Sequence, residues 1–256
     1  MTTTWDADSL VTPRTENVDR YKRNFLRQAV CEFRFPTLME LGSSRPPMAF
    51  VAAIRKEYPH MDHASEVTLA MVASSPNQST STHIFRSSKL NWTVSLKENA
   101  FSIETTSYTT FAQMKERVAR VIDAAVKIID SDFFTRVGLR YINIIDSAHD
   151  PVKGWVNPQL VGPLQSGGFT GVQEYAGKIQ VAAADGGCLL QHGIHLRPKS
   201  GTDALAPEYM LDIDAFRNDV TVGDALDALD AAHAQAFSLF DWAIGDAARE
   251  YLSRDK

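Results

Sequence analysis

Two arginines flank a glycine in the run Arg136-Val137-Gly138-Leu139-Arg140, which continues through Tyr141 and Asn143 to Ile145. On a strand, successive side chains alternate. Arg136, Gly138, Arg140, Ile142 and Ile144 then share one face, and Val137, Leu139, Tyr141, Asn143 and Ile145 share the other. Guanidinium forks suit carboxylates and phosphates, so one chemistry open to this pair is an anion site. Gly138 leaves both arginines room to reach across a neighbouring strand, or leaves room for a ligand backbone. The plainer reading is a cross-strand salt bridge from Arg140 to an acid such as Glu32 or Asp212, beneath the helices, and it is preferred.

Other residue patterns offer less chemistry. In Leu211-Asp212-Ile213-Asp214 two carboxylates share a strand face, an arrangement able to hold Mg²⁺ or Ca²⁺. No third ligand can be placed beside them by spacing, so ordinary salt-bridging acids are expected and no metal is assigned. His60 and His63 fall in a predicted turn, the one histidine pair compatible with a metal. His192 and His195 are three apart on a predicted strand and point to opposite faces. His233 lies on the apolar stripe of a predicted helix and reads as a core histidine. The phosphate-loop, dinucleotide and nucleophile-elbow patterns are missing, and "SGGFTGV" precedes no helix at the right distance. No catalytic residue and no cofactor are assigned, and the reading leans away from an enzyme.

The bulk numbers narrow the partners. A chain of 256 residues builds one large or two small domains, and its hydrophobic content of 44% is ordinary for a globular protein. The net charge of −5 is uneven: residues 1–130 hold 16 basic and 14 acidic side chains, the remainder 10 and 17. An acidic balance gives no general attraction for phosphate backbones, so nucleic acid is not an expected partner. Cys31 and Cys188 sit in predicted strands and read as buried small hydrophobes of a reducing compartment. No apolar run reaches the roughly 20 residues of a membrane span, and the first residues do not resemble a signal peptide. A cytoplasmic location is expected.

These residues need a scaffold. Residues 1–24 lack periodicity and are expected as a poorly ordered arm. Its basic end (Arg14, Arg20, Lys22, Arg23, with Arg27 just beyond) has an alternative in docking onto the acidic second half or a partner subunit. "QAVCEFRFP" predicts a strand and "RPPMAFVAAIRKEYP" a short helix. Half-buried strands follow at "EVTLAMVAS", "THIFRSS", "NWTVSLKEN" and "AFSIETT", with turns at Pro76-Asn77, Ser87-Ser88-Lys89 and Glu98-Asn99. "TFAQMKERVARVIDAAVKIID" predicts a helix with Thr110 and Gln113 at capping-box spacing. The second half reads as strand "RVGLRYINII", a poor helix candidate "NPQLVGPLQ", three strands with a hairpin turn at Asp185-Gly186-Gly187, and one long helix from about Thr221 to Leu252. The order supports an α+β fold of two similar sheet-and-helix halves, 25–132 and 133–256, joined in one compact unit and saddle-like or helix-grip-like.

"QAVCEFRFP", "RVGLRYINII" and "LDID" together resemble a sporadically distributed bacterial family of conserved hypothetical proteins over roughly residues 20–250. The Gly-Leu-Arg-Tyr-Ile-Asn segment is the most specific part, and Gln28 and Ile144 replace the acid and the arginine usual there. The resemblance implies a compact cytoplasmic protein with an accessory, defence or antitoxin-like role. The expected function is a binding or interaction protein with a protein partner, a homodimer being one form. Its watched residues are Glu32, Arg34, Arg136, Arg140, Tyr141, Asn143, Asp212 and Asp214. The alternative is a sensor or enzyme for a small anionic or nucleotide ligand in an Arg/Asp-lined pocket.

Overall fold

The computed structural model describes residues 3–18, 20–68, 78–146, 148–198 and 205–255. It is an α+β fold around one open, nine-stranded antiparallel sheet. The strands are β1 (Leu26–Arg34), β2 (His60–Thr68), β3 (Gln78–Arg86), β4 (Trp92–Leu96), β5 (Ala100–Thr105), β6 (Phe133–Ile145), β7 (Tyr175–Ala183), β8 (Gly186–Pro198) and β9 (Leu205–Thr221). Their spatial order is β2-β3-β4-β5-β1-β6-β9-β8-β7, with β2 and β7 at the edges. The helices are α1 (Met48–Ile54), α2 (Phe111–Ala125), α3 (Pro158–Gln165), α4 (Ala225–Ala243) and α5 (Asp246–Ser253). No helix among the described residues is long and apolar enough to cross a membrane.

Two compact units result, and they do not follow the split at residue 132 that element order implied. One consists of residues 30–138 with 218–229, the other of 1–29, 139–217 and 230–256. In the first, Phe33 of β1, Phe101 of β5 and Phe134 of β6 form a ring cluster, the closest pair stacked at 4.9 Å. Phe50 of α1 packs on Phe85 of β3 at 5.7 Å, and Arg117 of α2 lies over the ring of Trp92 of β4 at 4.7 Å. The helices thus cover the apolar side of the strands, as strand alternation requires. Thr110 caps α2 by accepting from the Gln113 amide, while the Gln113 side chain accepts from Thr109 instead of closing the expected capping box.

The second unit corrects two expectations. Residues 3–18 and 20–24 are not a loose arm: Trp5 and Ala7 are buried. The amides of Asp6 and Ala7 donate to the Asp185 carboxylate at 2.6 and 3.0 Å, and Gln235 donates to the Ala7 carbonyl. Arg217, fully buried on β9, bonds Asp8 at 2.6 Å and Gln235 at 2.9 Å. Downstream, Arg14, Arg20, Tyr21 and Arg249 converge on the buried carboxylate of Asp241. The basic stretch therefore docks on acids of the chain's own second half. The long terminal helix is likewise broken, at Ile244-Gly245. There the Gly245 amide donates to Trp155 O, and a Cβ on Gly245 would meet Gly154 O at 2.1 Å. Only glycine lets the two backbones approach so closely.

His60 and His63 lie in β2 rather than in a turn, and β2 begins six residues before the predicted strand 66–74. The rest of that strand and the Pro76-Asn77 turn lie outside the described residues. His192 and His195 take opposite faces as expected, with His192 buried and its Nδ1 2.8 Å from the Tyr209 hydroxyl. Burial holds the His192 imidazole below its ordinary 6.5. The unfolded chain then binds the proton first, so the stability His192 contributes is present above about pH 6.5 and is lost as pH falls from there through the lower folded-state value. Melting temperature should fall between pH 7 and pH 5, and His192→Gln should flatten the fall. An unchanged acid slope in the variant would count against a buried neutral His192.

Candidate functional site

The strand faces of β6 are as the alternation requires. Val137, Leu139, Tyr141, Asn143 and Ile145 are buried, while Arg140, Ile142 and Ile144 are more exposed on the other, open face. The watched residues fall into separate groups within the two units. In the first unit Glu32 accepts from Arg34 Nε at 2.7 Å and from Arg136 Nη1 at 3.3 Å. The Arg136 guanidinium occupies the space over Gly138, where a Cβ would come within 2.2 Å of Nη1. Gly138 thus makes room for a side chain of its own strand.

In the second unit Arg140 and Asp212 form a two-pronged pair, Nε to Oδ1 at 2.8 Å and Nη2 to Oδ2 at 2.5 Å. The Asp212 side chain is 5% exposed against 47% for Arg140, so the arginine lies as a lid over the acid. The salt bridge expected from the sequence forms, but on the open face rather than beneath the helices. Both Asp212 oxygens are engaged, which leaves the Asp212–Asp214 pair no bidentate arm for a cation. No group of three metal-ligating side chains occurs among the described residues. Asp214 is half-buried opposite Leu189 of β8.

Tyr141 and Asn143 belong to the opposite face. The Tyr141 hydroxyl meets His233 Nδ1 of α4 at 3.0 Å, and Asn143 Nδ2 donates to Leu211 O at 3.4 Å. Both are buried structural contacts, as is the core histidine His233. The thiols are equally inaccessible: burial pushes Cys31 far up and Cys188 up to about 12, so neither is held as the nucleophilic thiolate.

One feature of the second unit was missed from sequence. Among the described residues β7 pairs only with β8 and forms an edge of the sheet. Its nine residues, Tyr-Ala-Gly-Lys-Ile-Gln-Val-Ala-Ala, hold one charge and no proline, and Ile179 is 39% exposed. Among the described residues no backbone bond from outside the β7–β8 ladder reaches them. Composition marks a strand here, but edge position depends on strand order, which no local pattern reveals. No family model, no curated protein and no solved structure matches the chain.

Removing Arg140 leaves a buried carboxylate without its partner, a loss of about 2 kcal/mol. Arg140→Ala should lower the melting temperature by about 4–8 °C in a chain of this size. Asp212→Asn in the same background should recover part of the loss, because it removes the stranded charge. Thermal melts of the single and double variants decide it; an Arg140→Ala variant as stable as the parent contradicts the lid arrangement.

Proposed function

We propose that the chain is a binding protein without chemistry of its own, and that β7 receives an extended segment of a protein partner as an added strand. The observation that carries this reading is that, among the described residues, β7 ends the sheet with no strand paired to its outer side. A strand of nine residues with a single charge and no proline presents a row of N–H and C=O groups that another strand can pair. Natural edges are commonly blunted by proline, bulges or several charges; Lys178 is the lone such device here. The engaged state of the open-face charges supports recognition over catalysis, since Arg140, Arg136 and Glu32 already bond one another or Asp212. A second copy of the chain is one partner able to supply the strand.

Gln180 and Val181 test the reading as a pair. Of two neighbours on an edge strand, one directs its N–H to β8 and the other outward. Proline at the outward position removes a donor that no ladder bond uses. Gln180→Pro and Val181→Pro, each purified from the cells that encode the protein and weighed by native mass spectrometry, should differ. One should melt early. The other should melt like the parent yet lose the partner that the parent retains. A thermally unchanged proline variant that keeps the partner refutes strand addition at β7.

A further inference from the structure

The first unit contains an open cleft of about 670 Å³ where the β3–β4 turn faces the start of α2. Three cations line it, Lys89, Arg117 and Arg120, against one carboxylate, Glu57. Glu57 holds both guanidiniums, Arg117 Nη1 3.2 Å from Oε2 and Arg120 Nε 2.8 Å from Oε1, and Glu116 takes Arg120 Nη1 at 2.6 Å. Arg117 is further held over the Trp92 ring. The opposite wall is set by hydrogen bonds of its own. Ser87 Oγ bonds Asn91 at 3.0 Å and accepts from the Trp92 amide, while Leu90 turns the chain with φ 56°. The walls are therefore arranged before any ligand arrives, which lowers the ordering cost of binding.

From this arrangement we infer that the cleft is a binding site for a small soluble phosphorylated polyol, of the sugar-phosphate class. With Glu57 and Glu116 both on Arg120, the charges around the cleft leave a net positive balance that suits an anion, and the Lys89 ammonium beside the Arg117 guanidinium can take the oxygens of a phosphate. The remaining lining is hydroxyl and amide: Ser88, Ser107, Thr109, Asn91 and Gln113. Such groups exchange hydrogen bonds with a polyol. They offer no stacking platform for a base, because Arg117 already covers the Trp92 ring. Volume agrees: the cleft lies within the roughly 300–1,000 Å³ range of small-molecule sites.

Lys89 is the residue to test, because it is exposed on the turn and has no described partner, so its loss leaves the fold unaffected. Titration calorimetry of the full chain with glucose 6-phosphate, glucose and inorganic phosphate separates the outcomes. The inference expects saturable binding of glucose 6-phosphate that weakens about tenfold in Lys89→Ala at unchanged melting temperature. Glucose should not bind, and inorganic phosphate should bind more weakly than the sugar phosphate. Arg117→Lys gives a second variant that keeps the charge but loses the fork, and it should also weaken binding. Absent saturable binding, or binding that Lys89→Ala leaves unchanged, overturns the site. Inorganic phosphate binding as tightly as glucose 6-phosphate overturns the polyol assignment.

Discussion

A β-sheet must pair every backbone N–H and C=O it removes from water, and this requirement governs most of what the chain does. Inside the sheet each strand meets the demand through two neighbours. At the two ends it cannot. The register between β7 and β8 runs unbroken from Tyr175↔Ile194 to Ala183↔Gly186, so the inner side of β7 is fully engaged and its outer side is the remainder. The functional reading follows from that asymmetry rather than from any reactive group.

The second constraint is electrostatic. A charge on a packed sheet is costly unless a partner neutralises it in place. Arg140 and Asp212 meet this on the open face, Glu32 with Arg34 and Arg136 does so in the other unit, and Arg217 is satisfied wholly inside the protein. Arg217 explains why the first residues are ordered. Its guanidinium needs the carboxylate of Asp8, so a stretch without helical or strand periodicity becomes part of the packed structure. The same logic holds at Asp241, where a buried carboxylate gathers cations from the stretch before β1 and from α5. Ordering here comes from ion pairs and caps together with the burial of Trp5 and Ala7 and the packing of Tyr21 on Phe237 and Phe240.

Period-two alternation made the two faces of β6 legible, and of the two acids that the sequence offered to Arg140 (Glu32 and Asp212) the structure pairs it with Asp212. The α+β class and the helix-covered apolar face follow equally from periodicity. What periodicity cannot carry was lost. The break between α4 and α5 depends on Gly245 meeting the backbone at Gly154, a contact between residues far apart in sequence. The ordered first residues depend on Arg217, and the edge position of β7 depends on strand order. The histidines of β2 were assigned to a turn because Tyr58-Pro59 signals a helix exit, which it is, while the strand resumes at once. Tyr141 and Asn143 look like site residues by type, yet their polar atoms serve the packing beneath the sheet. The basic cleft beside Trp92 was invisible because Lys89, Arg117 and Arg120 are brought together only by the fold.

The most direct measurement is amide hydrogen exchange across residues 175–183 in the isolated protein and in the assembly recovered from its own cells. In an edge strand the outward amides exchange fast when free and slowly once another strand pairs with them. The account predicts alternate amides of β7 fast in the isolated chain and protected in the assembly, with those bonded to β8 slow in both. Outward amides of equal exchange rate in the two states, with protection appearing elsewhere, would contradict it.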